Sequence, residues 1–166
     1  MGLREELEAV YQSLPTMKKS RCHELCMSGE CKFECCTITG CSPKERKNIN
    51  QFLREKRLNL PFIKDRIHAG GYILPFNNPE TPKCAYIGEN GCRIYEVRPA
   101  ICRLFGAVKQ MPCSFQPEQA AHQEYPIEAM VKIGMIPESA YENGKLETFD
   151  KIMNGEKKSS LFERTL

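Results

Sequence analysis

CHELCMSGECKFECCTITGCSPKE, residues 22–45, places six cysteines within twenty positions and then spells the start of a helix. Thiols this dense leave little room for regular structure, so the segment reads as loops wrapped around an ion. Cys22 and Cys26 enclose three residues, Cys31 and Cys35 three, and Cys36 and Cys41 four. These gaps fall within the roughly two to four residues by which a short loop presents two thiolates to one tetrahedral metal. The set does not name the metal. Cys26, Cys31 and Cys35 run four then three, which misses the plant-type iron–sulfur run of about four then two, and the bacterial run is absent as well. Ser42, Pro43 and Glu45 form a capping box with proline at the first helical position, which predicts a helix from just after Cys41, through Ile49, Phe52 and Leu53, to a stop before Pro61.

Outward from this stretch, Leu3, Leu7, Val10 and Leu14 recur at helical spacing before Pro15 and predict an amphipathic first helix. PFIKDRIHAGGYILPF, residues 61–76, reads as a short helix closed by Gly70 and Gly71, followed by an extended piece. CAYIGENGCRIY, residues 84–95, has the form of a β-hairpin, with Asn90-Gly91 favouring the positive φ of a tight turn and Cys84 and Cys92 opening its two strands. The chain is cysteine-free after Cys113, and Pro126 to Val131 and Leu146 to Met153 suggest two further helices. The expected organisation is an N-terminal helix over 1–20, a cysteine-cluster metal-binding domain over 21–115, and a helical extension over 116–166 packed on the same domain. The expected fold is mainly α with one small β-hairpin and an irregular, cysteine-rich, metal-organised core.

The 166 residues amount to one domain, 41% apolar and 27% charged, which suits a compact globular protein. No stretch approaches the eighteen or so apolar residues of a membrane span, and the first residues lack the apolar run of a secretory signal. A cytoplasmic location is therefore expected. Ten cysteines could be a disulfide framework, but that needs an oxidising compartment to which nothing directs the chain, so metal ligation is preferred. His68 stands alone and is left out, whereas His23 lies between two thiols and could replace one of them. The net charge of +3 is too mild to imply nucleic acid. Yet Lys44, Arg46, Lys47, Arg54, Lys56 and Arg57 face only Glu45 and Glu55 on the second helix. A solvated face is the simpler reading of that run, and a phosphate-binding face the other.

Cys26, Cys31, Cys35 and Cys36, followed by Ser-Pro-Lys-Glu, resemble an expanded CxxCxxCC signature of the YkgJ-like cysteine-cluster proteins, described as zinc- or iron-chelating domains. Cys84, Gly91, Cys92, Ile94, Tyr95, Glu96, Arg98, Pro99, Cys102 and Arg103 match the second half of that pattern, and Cys113 resembles a further cysteine found after the Cys-Arg pair. The likeness covers about residues 22 to 113. The first half departs from the pattern: its gaps are longer, and Cys22 and Cys41 are extra. The resemblance implies a bound zinc or an iron–sulfur cluster, in one site or two, on its eight matching cysteines, and the short gaps add Cys22 and Cys41, so that all ten are candidate ligands. A related cluster in flagellin lysine methylase is the licence for an alternative, a redox or methyl-transfer enzyme. The leading expectation is a structural or interaction module with a protein partner; a nucleic-acid-binding zinc protein using the helix over 44–57 is a further alternative, and no membrane is expected.

Four thiolates around zinc or an oxidised four-iron cluster leave a charge of about minus two, and burying it costs several kcal/mol unless cations or N–H donors answer it. Arg98 and Arg103 are candidates to do so. Pro99 predicts a helix start that puts Cys102 in a first turn, where the helix dipole lowers a thiol pKa. Two other readings of the arginines stay open: an anionic ligand, and pairing with Glu96 at the surface.

Overall fold

The computed structural model describes residues 2–16, 24–25, 28, 30–31, 33, 35–37, 39–66, 71–77, 80, 83–120 and 123–138. Helix α1, Leu3–Gln12, starts at an extended Gly2 whose N–H donates to Glu5 Oε2 at 2.8 Å. It buries Leu7 and Tyr11, with Leu14 buried just beyond it and Val10 only partly covered, so Tyr11 takes a place the leucine stripe alone did not mark.

Helix α2, Pro43–Glu55, begins where the capping box predicts. Ser42 Oγ accepts the Glu45 N–H at 3.2 Å, and Ser42 N–H donates to Glu45 Oε2 at 2.8 Å. Four residues thus settle two of the N–H groups that a helix start leaves unpaired. The short helix expected next is not formed over residues 61–65, and Arg66 bridges to Tyr72 as extended chain. Its backbone groups are taken from outside: Ile63 N–H donates to Asn50 Oδ1 at 2.9 Å, and Ile63 O accepts Asn50 Nδ2 at 3.1 Å and Arg46 Nε at 3.0 Å. With both peptide groups of Ile63 taken by α2, residues 61–65 stay extended, and residues 67–70 of the expected helix lie outside the described residues.

Two antiparallel strand pairs are present where one was expected. β1 (Gly40–Cys41) pairs with β2 (Tyr72–Ile73) in the register Cys41↔Tyr72, and β3 (Ile87–Gly88) pairs with β4 (Gly91–Cys92) in the register Ile87↔Cys92. In the hairpin only Gly91 takes the left-handed backbone, at φ +101°, and the strands are shorter than expected, with Cys84 before the first and Cys92 ending the second. A one-turn 3-10 segment at Tyr95–Val97 leads into α3, Ala100–Leu104, and then come α4, Pro117–Ala120, and α5, Ile127–Lys132. The expected helix near residues 146–153 lies outside the described residues.

The described chain is therefore a small mixed α/β unit, and its interior is built from two apolar clusters. One apolar cluster joins Leu7, Tyr11 and Leu14 to Ala100, Leu104, Met130 and Ile133; the other joins Ile49, Phe52 and Leu53 to Ile63, Leu74, Tyr86 and Ile94, with Cys41 and Cys84 as two of its members. The amphipathic stripes of α1 and α2 find apolar partners of their own, and Cys41 and Cys84 are buried among them while Cys36, Cys92 and Cys102 pack against the second cluster.

Candidate metal centre

α3 lies between the two clusters, with Ala100 and Leu104 in the first and Cys102 packed on the second. Its position is fixed by Glu45, whose Oε1 accepts the Ala100 N–H at 2.6 Å and the Tyr11 hydroxyl at 3.0 Å. Cys102 is thereby held on the wall of a cleft of about 690 Å3. The same cleft is lined by Cys31, Cys35, Cys36, Cys84, Cys92 and Cys113.

Several local devices bring the thiols to it. Cys36 and Cys84 are joined through the backbone, Cys84 N–H donating to Cys36 O at 2.8 Å, and Cys84 also bridges to Phe76. Cys92 is delivered by the hairpin, opposite Ile87. Cys113 follows a loop closed by Gly106 N–H to Met111 O at 2.6 Å, and Cys31 sits with Leu25 and Phe33 in a small satellite cluster. Cys41 is apart: it is fully buried in the second apolar cluster, beside Glu45 and Arg46, and does not line the cleft. Cys22, Cys26, His23 and His68 lie outside the described residues.

Five of these thiols sense one another electrostatically. Cys102 is pushed up by burial and then by Cys84, Cys92 and Cys35, and Cys84 is pushed up to about 11 by burial with Cys92 and Cys35 adding to it. Cys92 also rises through burial. Cys35 and Cys36 act as a pair: Cys35 is held down by the hydrogen bond from Cys36, with its own backbone N–H, Arg98 and Lys83 assisting, and Cys36 is pushed up by that same bond and by burial. Burial, with Cys84, Cys92 and Cys35 adding to it, raises the Cys102 thiol against the lowering expected at a helix start, and the first N–H of α3 is already spent on Glu45. Among the described residues, no three His, Cys, Asp or Glu side chains meet as a ligand group about one point. Ligation requires the thiolate, so metal binding at these thiols would release protons.

The two arginines part company. Arg98 lies 4.0 Å above the Tyr95 ring, its Nε is buried without a hydrogen-bond partner, and its charge lowers the pKa values of Cys35, Cys92 and Cys102. Arg103 also lines the cleft, but its Nε donates to Arg98 O at 3.0 Å, its second nitrogen to Glu96 O at 2.9 Å, and its plane lies 4.0 Å above Tyr11. Lys83, which donates to Phe33 O at 3.3 Å and lowers the Cys35 thiol, is a second cation near the thiols that the sequence reading missed. Its place immediately before Cys84 was the available signal.

A soft, multidentate thiol cleft with an unpaired cation suits a soft divalent metal or an iron–sulfur cluster better than a hard oxygen-seeking ion. The family model described as "CxxCxxCC: Putative zinc- or iron-chelating domain" matches residues 25–128, well over half of the 166-residue chain. No curated protein and no solved structure matches it.

Proposed function

The chain belongs to the CxxCxxCC domain family, and on that premise we propose that it holds a zinc ion or an iron–sulfur centre in the cysteine-lined cleft, as a structural centre of a small cytoplasmic interaction module. The observation that carries this reading is the convergence of thiols from separate segments, Cys31 to Cys36, Cys84, Cys92, Cys102 and Cys113, on one cleft. Cys35, Cys84, Cys92 and Cys102 are the ligands this reading favours, since they lie close enough to shift one another's pKa values and come from separate stretches of the chain. Arg98 answers the negative charge that four thiolates leave, and its unpaired Nε is a donor available to a ligand sulfur. Bound there, a metal would tie the loop around Cys35 to the hairpin and to α3, a role in which it supplies folding free energy.

A second reading, a redox or methyl-transfer iron–sulfur enzyme, is favoured by one observation: the cleft of about 690 Å3 is far larger than a single ion needs. Anaerobic purification with metal analysis and a visible spectrum decides between zinc and an iron–sulfur centre, and only the latter is compatible with the enzyme reading. A colourless protein with stoichiometric zinc supports the structural module, and a brown one with iron and acid-labile sulfide supports the cluster. A protein that retains neither metal after reconstitution refutes both.

A further inference from the structure

A basic strip runs along the outer face of α2 and continues onto the extended segment beside it. Lys47 and Arg54 are seven positions apart on one exposed helix face, and Arg57 follows at the helix end. Residues 61–66 lie along that face because Asn50 and Arg46 hold Ile63, which adds Lys64 and Arg66 to the strip. Aromatic rings sit among the cations: Arg54 lies over Phe62, which is 40% exposed, and Arg46 and Arg66 both lie over Tyr72, at 4.4 Å and 5.5 Å.

The acids of this region do not neutralise it. Glu45 is buried and committed to Tyr11, Ser42 and Ala100, and Glu55 is paired with Arg4. Only Asp65 is interspersed, so Arg46, Lys47, Arg54, Arg57, Lys64 and Arg66 leave a local surplus of five positive charges, against +3 for the whole chain. By the same count the rest of the sequence carries a net charge of −2. A helix whose basic residues were only solvated would need neither the added cations of a second segment nor an exposed ring among them.

We propose that this strip, Arg46, Lys47, Arg54, Arg57, Lys64 and Arg66 around the exposed Phe62, binds a single-stranded nucleic acid, the cations tracking the phosphates and Phe62 stacking on a base. Sequence-tolerant binding of single strands combines these two elements, a basic track and an exposed aromatic face. The inference does not rest on the metal reading, since none of these side chains lines the cleft.

The test is fluorescence anisotropy with a labelled oligothymidylate of about 20 nucleotides, on full-length protein whose metal content and melting curve are recorded for every variant. Binding at low salt is expected to weaken linearly on a log–log salt plot. The triple variant Lys47→Glu, Arg54→Glu, Lys64→Glu should lose at least tenfold in affinity, and removal of three phosphate contacts should flatten the salt slope by about 2. Phe62→Ala should weaken binding roughly 5- to 100-fold with the slope retained, and Phe62→Tyr should keep it. Failure to bind the oligonucleotide overturns the proposal, as does a triple variant that binds like wild type. An unaffected Phe62→Ala, or polyglutamate competing as well as the oligonucleotide, replaces it with a plain anion-binding surface.

Discussion

Glu45 offers the sharpest test of how the cleft wall is built. Its carboxylate accepts from three buried or partly buried donors on three elements: Ser42 N–H at 2.8 Å, Ala100 N–H at 2.6 Å and the Tyr11 hydroxyl at 3.0 Å. Leaving one buried donor unpaired costs about 1–3 kcal/mol, so Glu45→Ala would forfeit about 3–9 kcal/mol if the space stayed dry. The vacated side-chain volume and its three donors suit a water, which brings the expected loss to about 3–5 kcal/mol, a large share of the ~5–15 kcal/mol of a typical domain. Glu45→Gln keeps one carbonyl oxygen for Tyr11 and Ala100 but turns an NH2 toward Ser42 N–H, so about 1–3 kcal/mol is expected. Urea unfolding under constant excess metal gives both values, and hydrogen exchange at the Ala100 amide should accelerate in both variants. Burial raises the Glu45 pKa against the lowering by its hydrogen bonds, so the folded state holds that proton more tightly than the unfolded chain. Wild-type stability then falls as pH rises from about 4.3, the unfolded value, toward the raised folded value, and the penalty of Glu45→Gln shrinks over that window. A Glu45→Ala cost under about 1 kcal/mol would refute the picture of one carboxylate joining α1, α2 and α3.

Cys102→Ser should lower the bound metal stoichiometry, because a neutral hydroxyl replaces a soft anionic ligand, whereas Arg98→Gln should keep the count and weaken retention by about 10- to 100-fold. Competition against a chromogenic chelator reads both, and an unchanged affinity for Arg98→Gln would mean that its charge does not serve the centre. Chelator treatment should raise hydrogen exchange at the Cys36 and Cys84 amides while those of Ile49 and Met130 stay protected, since hydrocarbon contacts surround the latter two; equal loss everywhere would mean that the metal holds both clusters together. Asn50→Ala should cost about 2 kcal/mol by stripping Ile63 of bonds on both sides of its peptide groups, and a near-neutral result would mean that residues 61–66 can satisfy themselves.

Where a few adjacent residues carry a feature's whole energy, the sequence was readable. The Ser42 to Glu45 box fixes the start of α2 within four positions, and Gly91 permits the backbone its hairpin turn needs. The pairing of Cys41 with Tyr72 was not readable, because two-residue strands have no period and their partner lies thirty-one positions away. Residues 61–66 misled for a related reason: their helical pattern was local, but their hydrogen bonds are to Asn50 and Arg46. At the site, spacing marked the thiols as a set without telling them apart. Cys41 has the same short gaps as its neighbours, yet the strand pairing and capping box beside it carry it into the apolar interior, away from the cleft.

The small size of α3 has a consequence for the two ends of the described chain. Its five residues touch both apolar clusters, Ala100 is tied through Glu45 to Tyr11, and Arg103 stacks on the same Tyr11. An element this short cannot absorb a displacement by bending, so it moves as one piece or not at all. Whatever free energy the N-terminal helix contributes to holding Cys102 against the cleft is returned to that helix when a ligand engages Cys102, by thermodynamic reciprocity. Ligand uptake at the thiols and docking of α1 are thus two readings of a single equilibrium, and a lesion at Tyr11, which lies on another helix, should register as a change in metal affinity.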